Sequence, residues 1–114
     1  MIHHNAILLE TAHSIACSQV GLGVTYEWNN KDYFDLTVDP GTMEWTSTLA
    51  DTGEGTSWVS INPDACTGSL HNMYANADAP NKEITPRSCE VTFSDDAGEA
   101  EDITLTVTQM GAPV

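Results

Sequence analysis

The sequence predicts an all-β fold, an antiparallel sandwich of two sheets with a short N-terminal arm. From Gly23 onward, apolar residues recur at every second position, which is the period of a β-strand with one buried face. Residues that favour turns interrupt this pattern roughly every 8–12 positions, as in sandwiches of about seven short strands. The length of 114 residues suits one domain with a modest core.

The first 22 residues differ from the rest and are predicted to form an arm or docking segment, with the sandwich at 23–114. Leu8, Ala12 and Ile15 have the spacing of one face of a short helix, whereas the run Ile7-Leu8-Leu9 fits a strand equally well. A short apolar segment is marginal by itself. We therefore expect Ile7, Leu8, Leu9, Ala12 and Ile15 to pack either on their own domain or on a neighbouring chain.

The first predicted unit of the sandwich is a β-hairpin with a turn at residues 29–32. Its apolar positions, expected in the core, are Val24, Tyr26, Trp28, Phe34, Leu36 and Val38. The last unit is also a hairpin, because Val91 and Phe93 precede a polar turn and a strand that alternates apolar residues with threonine. With the strands between them, these units predict an immunoglobulin-like arrangement.

Two strands in the middle of the chain carry aromatic residues that bear on function. Trp45 shares a strand face with Met43 and is expected in the core. Trp58 lies opposite Val59 and Ile61, so it either is exposed or closes one end of the sandwich. Tyr74, in a weaker strand, can be exposed. Because sugars stack on exposed flat rings, Trp58 and Tyr74 are the candidate glycan-stacking residues.

The charge pattern excludes several classes of partner. Seventeen acidic residues stand against three basic ones, for a formal charge of −14. Such a surface repels phosphate backbones and anionic membranes, so no nucleic-acid or membrane partner is expected. The N-terminus lacks the basic residues of a signal peptide, and we expect a complete, unexported product. Ser14-Ile15-Ala16-Cys17 faintly resembles a lipoprotein cleavage site, which leaves acylation at Cys17 as an alternative.

No catalytic, cofactor or metal site is expected. His71 near Cys66 is the only candidate pair of base and nucleophile, and no nucleophile elbow is present. The carboxylates of the hairpin Asp95–Asp102 could hold calcium, although a solvated turn is the simpler interpretation. An odd number of cysteines indicates free thiols, as in a reducing cytoplasm, and Cys66 with Cys89 is the pair to consider if a disulfide forms.

Residues from about Phe34 to Gly111 resemble a BACON domain, an immunoglobulin-like module of gut Bacteroidetes and their phages. The resemblance rests on the following segments: Met43-Glu44-Trp45-Thr46; Trp58-Val59-Ser60-Ile61-Asn62-Pro63 with Thr67-Gly68; Arg87-Ser88-Cys89-Glu90-Val91-Thr92-Phe93; and Leu105-Thr106-Val107-Thr108-Gln109-Met110-Gly111. It implies a seven-stranded sandwich without catalysis, for which carbohydrate or mucin binding has been proposed.

These observations lead to one main hypothesis and two alternatives. The main hypothesis is a capsid decoration protein of a phage that infects Bacteroidetes, made in the host cytoplasm, displayed on the virion and bound to other virion subunits. The first alternative is a glycan-binding adhesion module that uses Trp58 and Tyr74. The second is a small surface lipoprotein, at the cell surface or secreted.

Overall fold

The computed structural model describes residues 12–114, which form nine β-strands and no helix. The strands are β1 (Ser14–Cys17), β2 (Leu22–Val24), β3 (Lys31–Asp39), β4 (Glu44–Asp51), β5 (Val59–Asn62), β6 (Ala65–Thr67), β7 (Leu70–Ala77), β8 (Arg87–Asp95) and β9 (Ile103–Gln109). No helix that could cross a membrane occurs in this part of the chain. The all-β prediction is confirmed, with β1 and β6 as strands that the sequence pattern did not reveal.

The strands form two sheets, with the orders β1-β3-β7-β5 and β2-β9-β8-β4-β6. Neighbouring strands are antiparallel except for β2 and β9, which are parallel. The predicted antiparallel sandwich therefore contains one parallel pair. β2 and β9 are far apart in the chain, so no tight turn joins them and their parallel pairing is possible.

The predicted first hairpin was also wrong, because its two strands belong to different sheets. β2 ends at Val24, and the next residues form a turn in which the Asn30 side chain accepts from Thr25 N at 2.7 Å and donates to Thr25 O at 3.1 Å. The strand period therefore stops before Trp28, which is 66% exposed instead of buried. Tyr26, also predicted in the core, is only partly buried.

The sandwich starts earlier than the predicted boundary at Gly23. Residues 14–17 pair with β3 in the register Ser14↔Asp39 to Cys17↔Leu36, and the Ile15 side chain is buried in the core. Residues 14–22 thus belong to the sandwich and not to an arm. Ala12 is exposed. The other predicted arm residues, Ile7, Leu8 and Leu9, lie outside the described residues.

The centre of the core is a group of three aromatic rings from both sheets. Phe93 contacts Phe34 and Trp45 edge to face, each at 5.9 Å between ring centroids. Trp45 is fully buried, and its Nε1 donates to Gly68 O at 2.8 Å, so its polar atom is satisfied. The core position predicted for Trp45 from its alternation with Met43 is confirmed.

A β-bulge shapes the middle of the first sheet. Phe34 pairs with Met73 and Leu36 with Leu70, so two residues of β7 stand opposite Asp35 alone. The Asp35 carboxylate accepts the N–H of Asn72 at 3.0 Å and lies 3.4 Å from His71 Nδ1. These hydrogen bonds, first that from Asn72, hold the pKa of Asp35 below its ordinary value. His71 therefore belongs to the bulge.

Candidate interaction site

One side of the sandwich has an opening between the edges of its two sheets. β6 pairs with β4 only from Glu44 to Thr46, so the rest of β4 has β8 on one side and no described strand on the other. Residues of β5, the last strand of the other sheet, line a common groove with residues of β4. We call the space between these two strand edges the β4–β5 opening.

The hydrogen-bonding groups along β4 can be assigned to its two sides by alternation. Glu44 O accepts from Asp96 N at 2.9 Å on the β8 side, and Ser47 N donates to Asp64 O at 2.7 Å on the β6 side. Since successive residues of a strand point their backbone groups to opposite sides, those of Leu49 point the same way as those of Ser47. The backbone of Leu49 therefore faces the opening.

The same argument places the free edge of β5. Trp58 O accepts from Asp78 N at 2.7 Å on the β7 side. The next residues alternate, so the backbone groups of Val59 and Ile61 point away from β7. Exposed strand edges of this kind are sites where another chain can add a strand.

The floor of the β4–β5 opening is apolar. Val59 and Ile61 are buried at its base and Leu49 is half-buried at its side, while Ser60 and Asp64 supply polar groups. The groove has a volume of about 340 Å³. A groove of this size, between two free strand edges and over aliphatic side chains, suits an extended peptide segment better than a small polar ligand.

Trp58 is not a glycan platform. Its side chain is 1% exposed, and its Nε1 donates to Gly55 O at 2.9 Å. The Arg87 guanidinium lies over the ring, 5.0 Å from its centroid. Trp58 precedes β5 in a turn, so strand alternation does not govern its direction, and it closes one end of the core. Of the two alternatives that the sequence left open, the buried one is correct.

Tyr74 lies on the outer face of the first sheet with a second tyrosine. Tyr33 pairs with Tyr74 across β3 and β7, and their rings meet edge to face at 5.6 Å. Asn62 Nδ2 donates to the Tyr74 hydroxyl at 3.0 Å, and Lys31 Nζ lies 5.3 Å from the ring centroid. Tyr33 is 54% exposed. Its outward direction could have been found from its alternation with the buried Phe34.

The Asn76 side chain borders this tyrosine pair and contains an unsatisfied acceptor. Asn76 Nδ2 donates to Asp78 Oδ1 at 2.6 Å, and Ser60 Oγ donates to the same oxygen at 3.0 Å. The Asn76 Oδ1 atom is buried and has no hydrogen-bond partner among the described residues. The outer face of this sheet thus combines two aromatic rings with amide and carboxylate groups.

The acidic hairpin uses its first carboxylate to hold its own turn. Asp95 accepts hydrogen bonds from the backbone N–H groups of Ala97, Glu99 and Ala100 at 3.0–3.1 Å. These bonds, with a smaller contribution from His13, lower the pKa of Asp95. Within residues 12–114, no three His, Cys, Asp or Glu side chains come together in a way that could hold a metal ion. The hairpin is therefore an organised turn.

His13 lies where the described chain begins, against this turn. Its Nε2 is 3.0 Å from Glu99 Oε1 and its Nδ1 is 3.9 Å from Asp95 Oδ2. His13 and Asp95, together with Met43 and Glu44, border a second groove of about 380 Å³. The contacts hold the start of the described chain beside this turn.

The three cysteines are free thiols. Cys66 stands opposite Trp45 and Cys89 opposite Asp51 on the two sides of β4. These positions are separated along β4 by about 20 Å at roughly 3.3 Å per residue, far beyond the span of a disulfide. Cys66 and Cys89 cannot pair, and Cys66 is not brought together with His71, which contacts Asp35 on the other sheet.

Cys17 lies within β1, where burial raises the pKa of its thiol. Cleavage before Cys17, as acylation there requires, would remove Ile15 from the core and most of β1 from its pairing with β3.

Comparison with known proteins supports the fold. No family model matches the chain, and no curated protein matches it. Among solved structures, the chain is similar to part of a Bacteroides ovatus GH5 xyloglucanase solved with a XXXG heptasaccharide, with a TM-score of 0.66 and 20% identity over 88% of this chain and 19% of the xyloglucanase.

Periplasmic chaperones show the same architecture. The chaperone SfaE has a TM-score of 0.62 and 12% identity over 88% of this chain and 58% of its own. The E. coli chaperone DraB has a TM-score of 0.57 and 7% identity over 89% of this chain and 55% of its own. The chain therefore spans less than two thirds of each of these proteins. At such identities the likeness concerns the fold, which is an immunoglobulin-like β-sandwich of the type found in these chaperones.

Proposed function

We propose that the chain is a non-enzymatic module that binds other protein chains through the β4–β5 opening, and that it serves as an auxiliary decoration subunit on the capsid of a phage that infects Bacteroidetes. The observation that carries the proposal is the opening itself. There, the free edges of β4 and β5 flank an apolar floor of Leu49, Val59 and Ile61. Strand addition at such an edge supplies affinity through main-chain hydrogen bonds.

Two further properties support the capsid role. The formal charge of −14 keeps a domain soluble when it is displayed in many copies, because neighbouring surfaces repel each other. The sequence segments that resemble a BACON domain, a module found in phages of gut Bacteroidetes, also form the structural centre of this sandwich, with Trp45, Trp58 and Gln109 fully buried. The chain would then be made in the host cytoplasm and carried on the virion.

Particle association tests this proposal. Peptide mass spectrometry of purified virus particles should detect the chain, and the purified chain should bind particles that lack it. Leu49→Glu, which places a charge on the floor of the opening, should weaken this binding. Thr106→Glu adds the same charge on the exposed face of β9 and should leave it intact. Thermal unfolding of both variants establishes that they are folded. Absence of the chain from particles, together with no binding to them, would refute the capsid role.

A glycan-binding role is the alternative that a specific observation favours. Tyr33 and Tyr74 form an aromatic pair beside the amides of Asn62 and Asn76, and sugar-binding faces combine rings with amide groups in this way. On a mucin-glycan array, Tyr33→Ala and Tyr74→Ala should abolish the binding of the native chain, and Thr106→Ala should not. If the native chain binds no glycan on the array, this alternative is excluded.

A further inference from the structure

An occupant of the β4–β5 opening has to be extended, apolar at alternate positions and nearly free of acidic groups. The first two requirements follow from the two strand edges and the aliphatic floor described above. The third follows from charge, because a body with a formal charge of −14 repels another acidic chain that approaches it, and Asp64 borders the groove.

The N-terminal segment of the chain itself meets these requirements. Residues 1–9 contain no Asp or Glu, and they include the apolar run Ala6-Ile7-Leu8-Leu9. In a strand, Ile7 and Leu9 share one face and Leu8 has the other. The segment also carries His3 and His4, whose imidazoles favour an acidic partner when they are protonated.

The first described strand, β1, lies at the edge of the first sheet that is opposite the groove. β1 and β5 are the two opposite edges of the first sheet, separated by three strand spacings, or about 14 Å at roughly 4.8 Å each. Contacts of His13 with Glu99 and Asp95 hold the start of the described chain beside the β8–β9 turn. The described chain therefore begins at one edge of the first sheet, and the opening lies at the other.

We infer that residues 6–9 of one copy add as a strand along β5 of a second copy, with Ile7 and Leu9 directed into the opening against Leu49. The segment that docks, residues 6–9, and the β4–β5 opening that receives it are different parts of the chain. The contact therefore builds reciprocal dimers, or rings and larger assemblies if it continues from copy to copy. This inference deepens the proposed function, on which it rests, by naming a second copy of the chain as the first partner.

The alternation of side chains along the docked strand gives the sharpest test. In sedimentation velocity over a range of concentrations, the full-length chain should form dimers or larger species, and removal of residues 1–11 should yield monomers. The truncated chain keeps all nine strands. Ile7→Asp and Leu9→Asp should also give monomers. Leu8→Asp is the matched control, since its side chain faces away from the groove, and it should still associate.

A peptide measurement tests the groove directly. A fluorescent peptide of residues 1–11 should bind the chain that lacks these residues, and a peptide of scrambled order should not. Leu49→Glu in the truncated chain should weaken peptide binding by about tenfold or more, equivalent to about 1.4 kcal/mol. Thr106→Glu should leave the affinity unchanged.

Each outcome decides the question. A full-length chain that stays monomeric while the peptide binds the truncated chain means that the segment occupies its own groove, which overturns the second-copy assignment. No peptide binding, or an oligomer that survives removal of residues 1–11, overturns the inference altogether. These measurements use purified chain without particles, so their failure is distinct from failure of the capsid role, which is measured on particles.

Discussion

The guanidinium group of Arg87 lies 5.0 Å from the centroid of the Trp58 ring, and its Nε donates to Gln109 Oε1 at 2.8 Å. Gln109 is fully buried, and its Nε2 donates to the carbonyls of Thr25 and Ala79 at 3.1 and 2.9 Å. One stack and three hydrogen bonds thus join β8, β9 and the segments before β5 and after β2 and β7. This network thus joins segments that are far apart in the chain.

Trp58→Ala should destabilise the fold instead of removing a ligand contact. Loss of a fully buried tryptophan costs about 3–5 kcal/mol, through lost burial and the cavity that remains. Urea unfolding should therefore show a much lower midpoint for this variant. Trp28→Ala is the matched control, because that ring is 66% exposed and the change should stay within about 0.5 kcal/mol. Equal midpoints for the two variants would contradict the buried position of Trp58.

Gly111→Ala should also destabilise the protein, because the backbone of a neighbouring segment occupies the space for a side chain. A Cβ at Gly111 would lie 2.0 Å from Ile84 O, and backbone atoms cannot move aside cheaply. We expect a loss of about 1–3 kcal/mol, typical of overpacking. Gly41→Ala is the control, since nothing lies within 4 Å of its added Cβ. Thermal unfolding of both variants measures the difference in stability. An unchanged stability of Gly111→Ala would contradict the close approach of the Ile84 backbone to Gly111.

Asp95 should make the stability depend on acid pH. Its pKa is lowered in the folded protein by the backbone N–H groups of Ala97, Glu99 and Ala100, so it contributes stability above its ordinary pKa of about 3.8. That contribution is lost as the pH falls through the lower folded pKa. The difference in unfolding free energy between the native chain and Asp95→Asn should therefore be largest near pH 7 and shrink below about pH 4. Glu101→Gln, in the same hairpin, is the control, and a pH-independent difference would contradict the role of Asp95.

The thiols should differ in reactivity. Burial raises the pKa of Cys89 to about 11, and its side chain is fully buried, so it should react with a thiol reagent only as the protein unfolds. Cys66 is partly exposed and should react in the native state. Alkylation after denaturation without reductant should add three groups per chain. Two unreactive thiols under those conditions would reveal a disulfide and contradict the free state of the three cysteines.

Local pattern was enough for much of the fold. Alternation of apolar and polar residues correctly predicted the buried faces of β4, β8 and β9, including Trp45, Phe93 and Val107, because a strand with one face in the core repeats every two residues. The same rule failed at Trp28 and left the direction of Trp58 open, because both residues lie in turns outside the strands. It also placed the first 22 residues outside the sandwich, since four residues of β1 are too short a segment to show a period.

The sequence by itself thus determined an acidic, all-β domain and much of its core, because charge and the alternation of apolar residues along a strand depend on residues that are near one another in the chain. The tertiary structure alone decided which strands end each sheet, and so where the β4–β5 opening lies. It also brought Tyr33 beside Tyr74, and Arg87 over Trp58. These relationships join residues far apart in the chain, and pairing between distant strands leaves no periodic signal in either segment.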